Sequence, residues 1–97
     1  MIETAKFDAS EHLKSPEDVA AYLNAAIEEV METGDSSFLS IAIDTAARAR
    51  GMAAIAKETG LTREGLYKSF DGRTAPSFDT VRKVLNALGV KLVVEAA

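Results

Sequence analysis

The sequence predicts an all-α domain of five helices followed by one short β-strand. Apolar residues recur at spacings of three and four, which is the period of a helix with one buried face. Capping residues precede these segments and glycines follow them. The connections are only a few residues long, as in compact helical domains. We therefore expect residues 1–14 to form an N-terminal arm and residues 15–97 to form a single helical domain.

The first helix has the clearest start. Ser15 suits the N-cap, Pro16 fits the first helical position, and two acidic residues follow at the positive end of the helix dipole. Gly34 supplies the left-handed conformation that ends a helix. The predicted apolar face comprises Val19, Leu23, Ala26, Ile27 and Val30.

The second helix is predicted over residues 36–50, with Asp35 as a candidate cap and Gly51 as the terminator. Two arginines in its last turn lie at the negative end of the dipole, where a positive charge is stabilising. The predicted buried face comprises Leu39, Ala42, Ile43, Ala46 and Ala49.

Two short helices follow, over residues 52–59 and 63–70, and Gly60 and Thr62 lie between them. Glycine permits a tight turn, and threonine caps the helix that follows. Ile55 and Ala56 are expected to point inward from the first of the two helices, and Leu66 and Phe70 from the second.

The fifth helix is predicted from its Ser77 cap to about Leu88, and Gly89 ends it. Its apolar stripe comprises Phe78, Val81, Val84, Leu85 and Leu88, all expected in the core. Residues 91–95 (KLVVE) form the predicted strand, since valines in a short apolar run suit a pleated chain. A lone strand needs a partner for its backbone groups, either the N-terminal arm or a second copy of the chain.

Composition argues against most catalytic and membrane classes. The chain has no cysteine and one histidine, His12, and it lacks a glycine-rich phosphate loop and an evident carboxylate pair. We therefore expect no enzymatic activity, catalytic residue, cofactor or metal. No apolar run is long enough to span a bilayer, and no secretory signal is visible, so we expect a cytoplasmic protein without a membrane partner.

Charge is distributed unevenly along the chain, although the formal net charge is −4. Residues 1–50 carry four basic and ten acidic side chains, whereas residues 51–97 carry seven basic and five acidic ones. Phosphate binding depends on local positive charge, so the second half is compatible with nucleic acid. The acidic first half suits a basic protein partner.

Residues 52–70 have the pattern of a helix-turn-helix. Ala56 is small where two helices would touch, Gly60 permits the turn, and Leu61 and Leu66 fill the angle between the helices. The second helix of such a motif can enter a DNA major groove about 12 Å wide. The predicted DNA-binding residues are Thr62, Arg63, Glu64, Tyr67, Lys68, Arg73 and Thr74.

These residue types suit distinct DNA contacts. Arg63 can bind a guanine edge with two hydrogen bonds, and Lys68 can reach a base or a phosphate. The Tyr67 ring can contact a thymine methyl group, and Glu64 can accept from cytosine or orient Arg63. Thr62 can hold a phosphate at the helix start, while Arg73 and Thr74 can grip the backbone beyond the helix.

Residues 51–90 resemble the Xre-like, phage-repressor-type helix-turn-helix family. The resemblance rests on Ile55-Ala56, Gly60, Thr62, Phe70-Asp71-Gly72, Pro76-Ser77 and Ala87-Leu88-Gly89-Val90. It implies a five-helix domain of that type with its recognition helix after Thr62. Two positions depart from the family pattern: Met52 stands where glutamine often touches phosphate, and Asp71 where a neutral polar residue would suit phosphate better.

The whole chain also resembles the putative addiction-module antidote proteins, antitoxins paired with RelE-like mRNA-cleaving toxins. This resemblance rests on Phe7-Asp8, Ser15-Pro16-Glu17, residues 47–52 (ARARGM) and the C-terminal strand. It implies a RelE-like toxin as partner and a homodimer that binds double-stranded operator DNA to repress its own operon. Two alternatives stay open at this point: a helix-turn-helix transcriptional regulator without a toxin, and an interaction module that no longer binds DNA.

Overall fold

Five helices make up the secondary structure in the computed structural model of the protein, which describes residues 12–97. The helices are α1 (Pro16–Thr33), α2 (Ser37–Arg50), α3 (Met52–Thr59), α4 (Arg63–Ser69) and α5 (Phe78–Leu88). The predicted all-α class and the order of five helices are confirmed. Most of the predicted N-terminal arm, including Phe7, lies outside the described residues. None of the helices in the described range is long and apolar enough to cross a membrane.

Helix ends are set by the capping residues that the sequence indicates. The Ser15 hydroxyl accepts a hydrogen bond from the Asp18 amide at 3.1 Å. Ser77 does the same for Thr80 at the start of α5, also at 3.1 Å. At the other end of α1, Gly34 has a φ of 78° and donates its amide to the Val30 carbonyl at 2.8 Å. These bonds satisfy amides at the helix starts and a carbonyl at a helix end, which have no partner within the helix.

Asp35 organises the start of α2 from two positions before its first helical residue. Its Oδ1 accepts from the Ser37 amide at 3.0 Å and from the Ser37 hydroxyl at 2.7 Å. The hydroxyl and then the amide of Ser37 lower the pKa of Asp35, because both donate to the charged form. The N-cap position itself, Ser36, makes no side-chain cap bond. The helix begins at Ser37, one residue after the approximate predicted start at Ser36.

The core is built around α2, which packs against all four other helices. Ile43, Ala46 and Ala47 of α2 are buried together with residues from each neighbouring helix. The largest fully buried side chains are Phe70, Ile43, Ile55, Leu66, Leu88 and Val84. The centre of α2 is rich in small residues, among them the buried Ala42, Ala46 and Ala47. The chain thus buries one core, and α4 is held by α2 and α3 at one side of it.

The predicted strand at residues 91–95 is not confirmed, and the expected burial of Phe78 is wrong. No strand exists in residues 12–97, and residues 91–95 have no regular structure, because one copy of the described chain offers no second strand to complete a ladder. Phe78, expected in the core, is 70% exposed. It occupies the first turn of α5, whereas the buried residues Val84, Leu85 and Leu88 lie in the later turns.

Candidate nucleic-acid interface

A three-residue turn joins α3 to α4. Thr59 stabilises it: its hydroxyl donates to the Ile55 carbonyl at 2.8 Å and accepts from the Leu61 amide at 3.2 Å. Gly60 follows with a φ of 78° and donates its amide to the Ala56 carbonyl at 2.9 Å. A residue with a Cβ would be strained at that φ, which explains the glycine. Half-buried Leu61 then packs against the core and fixes the path of the turn.

The start of α4 is capped by Thr62. Its Oγ1 accepts from the Gly65 amide at 2.9 Å, and its carbonyl accepts from the Leu66 amide at 2.9 Å. A Cβ placed on Gly65 would lie 2.9 Å from the same Oγ1, so the absence of a side chain at this position leaves room for the cap. The Thr62 hydroxyl keeps its hydrogen available as a donor at an exposed helix start.

Helix α4 is anchored on one side and exposed on the other. Leu66 and Phe70, four residues apart, have exposed fractions of 0% and 1%. Arg63, Glu64 and Lys68 are exposed on the outer side. The seven-residue helix is therefore held by its apolar anchors and not by its own length, since isolated helices this short are unstable in water.

Tyr67 does not stand free on that outer side. The Arg48 guanidinium lies over its ring, 4.6 Å from the centroid, and the tyrosine is half-buried against the core. Arg48 in turn donates from Nε to Asp44 Oδ2 at 2.7 Å, and this hydrogen bond raises the pKa of the guanidinium. The Asp44–Arg48–Tyr67 chain ties α4 to α2, and one face of the tyrosine ring is already occupied.

The loop after α4 is connected to the end of that helix. The Thr74 hydroxyl lies 3.5 Å from the Lys68 carbonyl and donates a weak hydrogen bond to it. Asp71 Oδ1 accepts from the Arg73 amide at 2.8 Å, which closes the turn around Gly72. The side chains of Arg73 and Thr74 are exposed beside the helix end.

Four basic side chains of this unit have no carboxylate partner among residues 12–97, and neither do Lys14 and Lys91 outside it. Within residues 12–97, the side chains of Arg63, Lys68 and Arg73 form no ion pair, and neither does Lys57 of α3. Four other basic residues are engaged by carboxylates: Arg48 by Asp44, Arg50 by Glu58, and Arg82 and Lys83 by Asp79. The free cations are therefore available to an external anion.

Lys57 was not among the sequence-predicted contacts. It is exposed on the helix that precedes the turn and carries no intramolecular partner among the described residues. Its type and its position one helix before α4 are the signals that could have identified it, because the first helix of a helix-turn-helix crosses the DNA backbone.

Met52 and Asp71 have structural roles within the domain. Met52, one of the two positions that depart from the Xre-like pattern, is only 6% exposed and belongs to the core. Asp71 is exposed and uses one oxygen to close its own turn. Among residues 12–97, no three histidine or carboxylate side chains are grouped closely enough to hold a metal ion.

Comparisons with known proteins agree with the antitoxin resemblance. A family model described as "Probable addiction module antidote protein" matches residues 3–96. An uncharacterised protein of Haemophilus influenzae is 40% identical over 89 residues, which cover 92% of this chain and 88% of that protein. No solved structure matches the chain. Since the family model spans nearly the whole sequence, the chain belongs to the family of probable addiction module antidote proteins.

Proposed function

We propose that this protein is a DNA-binding antitoxin that neutralises a RelE-like toxin and represses its own operon as a homodimer. The DNA-binding part of the proposal rests on the charge of the outer side of α4 and of the segments next to it. There, four cations without an intramolecular ion pair among residues 12–97 lie along the helix and the segments before and after it, and the helix start is capped by Thr62. Membership of the antidote family supports the toxin-neutralising part.

In this proposal, α4 lies in the major groove with its first turn toward the bases. Arg63 binds a guanine edge, and Lys68 binds a base or a phosphate beside it. Thr62 donates its hydroxyl hydrogen to a phosphate at the helix start, where the helix dipole also favours an anion. Arg73 and Lys57 neutralise phosphates on the two flanks.

The geometry changes the role given to Tyr67. Because Arg48 covers one face of its ring, Tyr67 braces α4 against α2, and only the uncovered part of the side chain is left to contact DNA. Glu64 is exposed next to Arg63 and suits either the cytosine contact or the orientation of that arginine.

Operator binding uses two copies in this account. A single module of this size buries only about 600–1,000 Å² of surface on DNA, which limits its affinity. Two recognition helices about 34 Å apart would read the two halves of a palindromic site. The toxin partner is basic in this account, because residues 1–50 carry ten acidic and only four basic side chains.

Arg63→Ala separates the two activities. We expect it to weaken operator binding by about 1–3 kcal/mol and to relax specificity at one base position. Neutralisation of the toxin should persist, because α4 is not assigned to that contact. The assays are a fluorescence anisotropy titration with the upstream promoter and growth rescue on co-expression with the neighbouring gene product. Lys14→Ala is the matched control, since it removes one exposed positive charge at the start of α1, away from α4.

Each outcome has a clear meaning. Equal operator affinity for Arg63→Ala and Lys14→Ala would contradict the DNA-binding part. Operator binding without any growth rescue or co-purifying basic partner would contradict the toxin-neutralising part and favour a transcriptional regulator without a toxin.

A further inference from the structure

The chain after α5 is apolar and exposed, with backbone groups that lack partners. The last backbone hydrogen bond in residues 12–97 is donated by the Val90 amide to the Leu85 carbonyl at 3.1 Å. Beyond it, the side chains of Leu92, Val93 and Val94 have exposed fractions of 46%, 69% and 99%. Consecutive exposed apolar residues with unpaired amides and carbonyls form a template for pairing with another strand.

This segment borders an apolar surface on the body of the domain. Leu92 lines three adjoining shallow hollows between α1, α2 and α5. Leu39 of α2 borders two of these hollows, and so does Phe78 of α5, which is 70% exposed. We name the surface formed by Leu39, Phe78 and Leu92 the apolar shelf. An exposed apolar surface of this kind, next to unpaired backbone, is typical of an interaction site.

The sequence of the segment is complementary to itself when two copies run antiparallel. With Val93 on a two-fold axis, Lys91 of one copy lies opposite Glu95 of the other, and Leu92 lies opposite Val94. Directly opposed residues in an antiparallel pair are about 4.5–5.5 Å apart, and opposite charges at such positions are stabilising. A short apolar segment with a positive residue at one end and a negative residue at the other is complementary to an antiparallel second copy of itself.

We propose that residues 91–95 of two copies pair as an antiparallel β-ribbon centred on Val93 and that this ribbon forms the homodimer interface. Side chains alternate along a strand, so Leu92 and Val94 share one face and Lys91, Val93 and Glu95 share the other. Leu92 is part of the apolar shelf. Val94 of the second copy lies directly opposite Leu92 on the same face of the ribbon and covers the shelf beside Phe78. The strand absent from a single copy forms when its partner arrives.

The ribbon specifies the interface of the homodimer proposed above, and its role in operator binding rests on that proposed function. No residue of α4 lines the three hollows, so the ribbon leaves the recognition helix exposed in both copies. An isologous contact of this kind closes as a dimer and does not propagate.

Charge reversal tests both the interface and its register. Lys91→Glu places like charges opposite each other at two symmetric positions, and Glu95→Lys does the same with the opposite sign. We expect each single variant to weaken the dimer at least tenfold, which corresponds to about 1.4 kcal/mol. The double variant K91E/E95K restores opposite charges at both positions and should return the dimer Kd to within about threefold of wild type. Because both positions are exposed, the wild type, the two single variants and the double variant should give the same circular dichroism spectrum.

Sedimentation equilibrium of the full chain at low salt gives the dimer Kd, and an anisotropy titration with operator DNA is run on the same samples. Loss in both single variants with rescue in the double variant supports the ribbon. A monomeric wild type, or single variants that dimerise as tightly as wild type, would overturn it. If the wild type dimerises and the double variant restores dimerisation, but the dimer binds no operator, the DNA-binding proposal is overturned and the ribbon stands. The two failures are therefore distinct.

Discussion

Replacing Thr62 with alanine removes the side-chain oxygen that caps α4. The Gly65 amide, which donates to Thr62 Oγ1 at 2.9 Å, loses its acceptor. Loss of such an N-cap costs about 0.5–2 kcal/mol. The effect concentrates on α4, because the helix has only seven residues and its first turn has no other side-chain cap.

The substitution leaves the domain folded, since small domains have unfolding free energies of about 5–15 kcal/mol. The unfolding free energy should fall by about 0.5–2 kcal/mol in urea denaturation followed by circular dichroism. Operator affinity should fall by at least roughly 2- to 30-fold, the cap free energy expressed as a ratio of Kd values, because the variant loses both the ordered first turn of α4 and the hydroxyl proposed to bind phosphate.

Ser15→Ala is the matched control. Its hydroxyl caps α1 through an equivalent bond from the Asp18 amide at 3.1 Å, at the other end of the chain from α4. It should lose comparable stability and keep its operator affinity within about twofold, a range set by the small expected free-energy difference. Thr62→Ser, which keeps the oxygen, should retain both properties. The reasoning is refuted if Thr62→Ala loses no more operator affinity than Ser15→Ala.

Two other predictions concern stability. Leu66→Ala empties a fully buried position in α4 and should lower the unfolding free energy by about 2–5 kcal/mol in urea denaturation, whereas a loss below about 1 kcal/mol would contradict its place in the core. Asp79 accepts from Arg82 at 2.7 Å and pairs with Lys83, and these contacts lower its pKa. A carboxylate with a lowered folded-state pKa adds stability above its ordinary pKa of about 3.9 and loses it as the pH falls through the folded-state value. The melting temperature of the wild type should therefore be slightly higher than that of Asp79→Asn at neutral pH, and the two should be equal in stronger acid. A difference in melting temperature that persists in acid would count against the ion pairs.

Helix ends could be predicted from the sequence because single residues determine them. Gly34, Gly60 and Gly89 all adopt left-handed conformations, with φ of 78°, 78° and 83°, and each ends a helix where expected. Ser15 and Thr62 cap helices as expected, because a short side-chain oxygen before an apolar period has few other roles. The exposed outer side of α4 follows from the same local period, once Leu66 and Phe70 are placed inside.

Features that depend on distant parts of the chain could not be predicted in this way. The contact of Arg48 with Tyr67 joins two helices, and no local spacing encodes it. Phe78 continues the apolar stripe of α5 in sequence, yet it is 70% exposed. The expected strand at residues 91–95 depends on a partner that a single described chain does not contain. Periodicity indicates which face is apolar, whereas the extent of the neighbouring helices decides how much of that face is buried.

The most direct test of the central claim is a mobility shift with the wild-type protein and its own upstream promoter at two salt concentrations, with and without the neighbouring gene product. The account predicts a sequence-selective shift that weakens steeply with salt, because several phosphates are neutralised. It also predicts that the gene product changes the migration of the complex. No selective shift at low salt, together with no change on addition of the gene product, would contradict the account.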